Sequence, residues 1–228
     1  MRLLNPIGLL AASAILIFGL FLAQCAKSEE AEPSGAALLE GSILPGSTQG
    51  LIGWLDSVEP DSSVDLYINS PGGDVASAWA FIASMSRAQV RGITVRCYVY
   101  GQAASAAFWI LSECDGRYAT PQSAFMFHRI RQTLMGDLMT APLARKMARS
   151  MQQVDNEIAL AILQHTSQSP AEVWRSMEAE DWYTARALRL ELPGFLTAIY
   201  PAFPNLLTVG HSKTTPRLGQ PGQPGGSK

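Results

Sequence analysis

The 228-residue sequence predicts an α/β layered fold with a mainly parallel sheet, and three observations carry that reading. Apolar runs of strand length alternate with helical stretches between Leu38 and His128. A turn built on Pro71, Gly72 and Gly73 directly follows one of those runs. Beyond His128, apolar residues recur at steps of three and four along one long stretch.

Taken in order, residues 38–44 are an apolar run and residues 48–58 a helix. Residues 64–69 read as a buried strand ending in Ser70-Pro71-Gly72-Gly73, which opens a βαβ arrangement. A small-residue helix is expected over 75–87, a strand over 93–100, an apolar helix over 104–114 and a short strand over 124–128. Between 137 and 165, Leu143, Met147, Met151, Val154, Ile158 and Ile162 fall on one face of a single long helix. Ser169-Pro170-Ala171-Glu172 then supplies a capping hydroxyl, a proline at the first helical position and Glu at the third, which mark a new helix start.

Composition narrows the function classes. With 47% hydrophobic and 16% charged residues the chain suits one well-buried domain, and a formal charge of -2 provides no basic field for nucleic acid. Residues 7–26 form an uncharged apolar segment of about bilayer-spanning length, preceded by Arg2 and followed by Glu29, Glu30 and Glu32. That pattern predicts an export signal or membrane anchor in residues 1–26, with the domain outside the cytoplasm. Leu22-Ala23-Gln24-Cys25 resembles a lipoprotein box except at Gln24, so an uncleaved anchor, a lipidated Cys25 and full secretion all stay open. Residues 27–37 read as a linker, 38–205 as the domain and 206–228 as a Gly/Pro-rich disordered tail. The three cysteines lack metal-ligand spacing, which excludes a zinc site of the C-x-x-C kind. Cys97 and Cys114 are expected as buried thiols, with a disulfide between them as the alternative that export permits.

Candidate chemistry centres on Ser105 in Gly101-Gln102-Ala103-Ala104-Ser105-Ala106-Ala107, where small residues let the chain leave a strand, turn tightly and enter a helix. A serine there is either a nucleophile beside free N–H groups or a plain helix cap. The Gly72-Gly73 turn can bring a backbone amide close to a ligand, or be only a tight turn. His128 ends an apolar strand and has a pKa suited to general-base work, although a structural role for it is open. The other histidines, His165 and His211, lie near a helix end and in the tail. Glu178, Glu180 and Asp181 cluster as candidates for the carboxylate that orients a catalytic histidine, or as the solvated end of a helix.

Three segments in order, Leu66-Tyr67-Ile68-Asn69-Ser70-Pro71-Gly72-Gly73, Gly101-Gln102-Ala103-Ala104-Ser105 and Met126-Phe127-His128, resemble the signatures of the Clp protease proteolytic-subunit family. The resemblance covers roughly residues 41–187. It implies a ClpP/crotonase-like layered fold of repeated β-β-α units with a long handle helix, here residues 137–165. It also implies a serine endopeptidase with Ser105 as nucleophile, His128 as base and the amides of Gly73 and Ala106 as oxyanion hole. His165-Thr166-Ser167-Gln168-Ser169 resembles the family's H-T-G-Q-S, and counting onward places Glu180 where the family has aspartate, with Asp181 in reserve. Implied partners are a peptide or unfolded-protein substrate and further copies of the chain in a ring; no cofactor is implied. The sequence departs from the family at residues 188–195, which lack its Gly-Leu-(Val/Ile)-Asp close. Its apolar N-terminus, acting as a membrane segment, would remove it from ATP and argues against an ATPase partner.

Three other readings compete. A signal-peptide-peptidase type membrane protease would use a Ser–Lys dyad, for which Lys146 is the only lysine between Lys27 and Lys213. An acyl-CoA hydratase or isomerase of the crotonase type would not need Ser105 and His128 together. A catalytically inactive scaffold is the non-enzyme reading, with Glu180 in place of aspartate as its support.

Overall fold

The computed structural model describes residues 33–131, 139–203, 206, 209 and 215–219. The expected signal or anchor in residues 1–26 and most of the tail lie outside the described residues.

One seven-stranded sheet organises the fold. Strands β1 (Gly35–Glu40), β2 (Ser63–Ser70), β3 (Thr94–Ala104), β4 (Gly116–Ala119) and β7 (Ala198–Ile199) run parallel in that order. Strand β5 (Ala124–Met126) pairs in parallel with β3, and β6 (Trp182–Thr184) pairs antiparallel with β5. The helices are α1 (Gln49–Asp56), α2 (Val75–Val90), α3 (Ala106–Ser112), α4 (Ala141–Leu163), α5 (Pro170–Ala179) and α6 (Ala185–Glu191). This is the mixed α/β, parallel-sheet architecture that the alternation predicts.

Local chemistry explains most element boundaries. Helix α2 starts where the Asp74 carboxylate accepts from the Ser77 amide at 2.8 Å. Helix α5 carries the full capping box expected at Ser169, with the Glu172 carboxylate accepting from the Ser169 amide at 2.8 Å. The helix expected from residue 104 begins instead at Ala106, because β3 stays extended through Ala104 to pair with β5. Tertiary pairing there overrides the helix propensity of alanine. Only the C-terminal part of α4 is buried, through Val154, Asp155, Ile158, Ala159, Ala161 and Ile162. Its N-terminal part leaves Leu143 40% exposed, so the apolar stripe runs past the core that this chain provides.

What places the site is a division in the pairing of β3. Its segment Arg96–Val99 pairs with β4, whereas Gln102–Ala104 pairs with β5. The change accompanies a register shift against β2 between Ile68 and Ser70. At that shift the Asn69 side-chain carbonyl accepts from the Gln102 amide at 3.2 Å and sits where any Cβ on Gly101 would go, 2.2 Å away. A side chain at 101 would force Asn69 to shift and give up this contact, which steers the end of β3 toward β5.

Two expectations are corrected. Cys97 and Cys114 are joined in a disulfide, with 6.0 Å between their Cα atoms. Strand β3, the turn at Ser105 and α3 fold back as a hairpin, which brings together two cysteines that look separately buried in the sequence. Removing the bridge as Cys97→Ala/Cys114→Ala is expected to cost about 2–4 kcal/mol in urea unfolding. Both cysteines should also resist maleimide, in denaturant, until a reductant is added. The second correction concerns the tail. Thr215–Gly219 are not free: Arg217 forms a parallel bridge with Leu38, the Leu38 amide donates to Pro216 at 2.9 Å, and the Gly219 amide donates to Ser47 at 2.8 Å. The open edge of β1 offers unsatisfied backbone groups that a Gly/Pro-rich strand can meet without a core of its own.

Candidate active site

Ser105 stands between β3 and α3 with φ 54° and ψ -124°, a conformation that few non-glycine residues adopt and that costs about 1–3 kcal/mol. Its amide donates to the Met126 carbonyl of β5 at 2.8 Å, which fixes the turn to the strand leading to His128. The hydroxyl makes no capping bond to α3. It lies 2.7 Å from His128 Nε2 instead. Of the two roles open in the sequence, the geometry takes Ser105 out of helix capping and joins it to an imidazole.

Burial holds the His128 pKa below its ordinary value, the Arg131 guanidinium lowers it further, and the Asp155 carboxylate opposes both. With the ring proton on Nδ1, Nε2 accepts from the Ser105 hydroxyl. That Nδ1 is buried and has no hydrogen-bond partner among the described residues. Among the described residues Glu180 is the carboxylate that pairs with it, with Oε1 at 3.8 Å, about 1 Å beyond hydrogen-bond length. The other oxygen of Glu180 is in close contact with the Arg131 guanidinium. Glu180 itself is the C-terminal cap of α5 in the left-handed conformation, with φ 58°. Asp181 is exposed and forms no ion pair with His128.

Sequence reasoning missed Asp155. It is 2% exposed, accepts from the Ile130 amide at 2.7 Å and pairs with Arg129 at 3.0 Å, so it anchors the backbone just past His128 to α4. Its position was a usable signal, since it stands four residues after Met151 and three before Ile158 on the buried face of α4.

A cleft of about 190 Å³ opens on this pair, lined by Gly73, Val75, Ser105, Ala106, Trp109, His128, Ile130, Arg131 and Ile158. Gly72 and Gly73 are needed for close approach. A Cβ on Gly72 would lie 2.8 Å from the Ala106 nitrogen and 2.9 Å from the Ser105 Cβ, and both glycines have positive φ. The loop is held from behind by Ile43, whose amide donates to Gly72 at 2.9 Å and whose carbonyl accepts from Asp74 at 2.8 Å. Lys146, the alternative base, is exposed on α4 and does not line the cleft. A larger, open depression of about 580 Å³ around Asp56 and Arg87 holds their ion pair, and its one hydroxyl, on Ser86, donates to the Ile82 carbonyl at 3.2 Å with no histidine in the lining.

A serine hydroxyl and an imidazole in contact at the end of a parallel strand, beside a glycine turn, define a candidate serine-hydrolase centre. The chain belongs to the Clp protease family, whose model matches residues 47–189. It is 31% identical over 134 residues to the ATP-dependent Clp protease proteolytic subunit 2 of Rhodococcus jostii (strain RHA1), covering 58% of this chain and 66% of that protein. It is 30% identical over 135 residues to the ATP-dependent Clp protease proteolytic subunit of Bacteroides thetaiotaomicron, covering 58% of this chain and 59% of that protein. The chain thus spans somewhat less than two thirds of the length of these relatives.

Proposed function

We propose that this chain is a serine-type endopeptidase that hydrolyses peptide bonds through an acyl-enzyme. The observation that carries the reading is the 2.7 Å contact between Ser105 Oγ and His128 Nε2. Ser105 Oγ attacks the peptide carbonyl carbon as its proton passes to His128 Nε2. The oxygen that gains negative charge is met by the amides of Gly73 and Ala106, both at the cleft wall. Collapse expels the amine, which takes the proton from His128. Water then attacks the acyl-enzyme, gives a proton to His128, and the acid leaves as Ser105 recovers its own. Glu180 is the third member, moving about 1 Å to accept from His128 Nδ1 and support the imidazolium. The reaction as written draws only on side chains, backbone amides and water.

Turnover of an unstructured fluorogenic peptide tests the assignment. His128→Ala should abolish it while Lys146→Ala leaves it near wild type; the reverse pattern would install the Ser–Lys dyad, and a folded wild type with no turnover would favour the scaffold. The pH profile is a second check. Only the neutral imidazole accepts the serine proton, and burial holds its pKa below the ordinary 6.5, so the acid limb of kcat/KM should be centred below pH 6.5. An acid limb centred above pH 6.5 would contradict the electrostatics of the site.

The same reading extends to assembly and location. The exposed N-terminal half of the α4 stripe supports packing against another copy of the chain, in a homo-oligomer of ring type. The apolar run at 7–26 and the Cys97–Cys114 disulfide support a domain exported or anchored outside the cytoplasm, acting without an ATPase. Among the described residues no helix is long and apolar enough to cross a membrane.

A further inference from the structure

The two arginines that follow His128 have different surroundings. Arg129 is held by Asp155 at 3.0 Å and Gln152 at 3.1 Å, and lies over the Trp174 ring. Arg131 is 66% exposed, lines the cleft with Ser105 and His128, and is the one Lys or Arg among the lining residues. It is paired with Glu180, the carboxylate that His128 Nδ1 lacks. As it stands, the guanidinium holds the acid away from the imidazole and leaves a buried N–H without an acceptor, a state that costs free energy until something relieves it.

Resting on the peptidase reading, we propose that Arg131 is a specificity-determining and positioning residue: it takes a carboxylate of the peptide substrate, and by leaving Glu180 frees that acid to accept from His128 Nδ1. The chemistry fits. A guanidinium exchanges one carboxylate for another without loss of its charge-assisted bonds. Glu180 is 38% exposed at the end of α5, so its carboxylate can swing toward Nδ1 without disturbing the core. The side chains of Val75, Trp109, Ile130 and Ile158 offer no competing charge in the cleft. The carboxylate is either an Asp or Glu side chain next to the scissile bond or the α-carboxylate of the peptide.

A set of fluorogenic peptides differing in one group separates these sources, using the full chain. Glu is compared with Gln at each position flanking the scissile bond, and a free C-terminus with its amide. Wild type should cleave one carboxylate-bearing member with kcat/KM about tenfold or more above its neutral twin, and part of the gain should be in kcat because Glu180 is released. In Arg131→Gln that ratio should fall to about one, and kcat on the neutral peptide should rise, since Glu180 is then free. Glu180→Gln added to Arg131→Gln should cancel the rise. The proposal is overturned if wild type shows no carboxylate preference at any position, or if Arg131→Gln keeps it, while a serine-directed fluorophosphonate still labels Ser105. Absence of both labelling and turnover would instead remove the peptidase reading and this inference with it.

Discussion

Replacing Ser105 by alanine is expected to lower peptide turnover by about 10⁴–10⁶-fold with little change in stability. The hydroxyl is the group in contact with His128 Nε2, at 2.7 Å, and it makes no capping bond that α3 would lose. Alanine carries the same Cβ through the same strained turn, so the fold has no new clash to absorb. What survives is the cleft and its amides, which on their own leave a small residual rate over water. Initial rates at saturating peptide, alongside thermal melts of both proteins, check the two halves of the expectation. A Ser105→Ala protein that melts like wild type and retains more than about a hundredth of its turnover would place the nucleophile elsewhere.

Gly73→Ala should lower kcat by about 10²–10³-fold, the loss expected for one displaced oxyanion donor. Gly73 has φ +145°, and a Cβ there would sit 2.1 Å from the Ile43 carbonyl oxygen. That oxygen is backbone, held in a bridge in which Ile43 and Gly73 pair, so it cannot swing aside as a side-chain tip could. The loop must shift, and it shifts at the wall of the cleft that contains Ser105. Because the donor meets charge that develops only in the transition state, KM should change far less than kcat. Steady-state kinetics with a matched circular-dichroism spectrum separate this from unfolding.

The sequence made the strand-helix alternation and the Ser105 and His128 positions legible because each rests on a local signal. Apolar runs mark β2 and β3, small residues around Ser105 mark the tight turn, and Ser169 to Glu172 mark the start of α5. Strands β4, β6 and β7 are four, three and two residues long, too short to carry a period that can be read. The disulfide ranked second to buried thiols for a different reason. Pairing of Cys97 with Cys114 depends on α3 folding back along β3, a tertiary fact that neither flanking segment encodes alone. Glu180 could be placed by counting from the helix start at Ser169, yet its contact with Arg131 could not, since the two residues lie on separate loops. The Asp155 anchor was readable in principle, as a lone acid on a buried helical face.

The proposed mechanism makes Ser105 a nucleophile activated by His128. Mass spectrometry of the full chain after treatment with a serine-directed fluorophosphonate tests it most directly. A single adduct mapping to Ser105, lost in Ser105→Ala and strongly slowed in His128→Ala, is the predicted result; a folded wild-type protein that takes up no adduct, or takes it up at another serine, would contradict it.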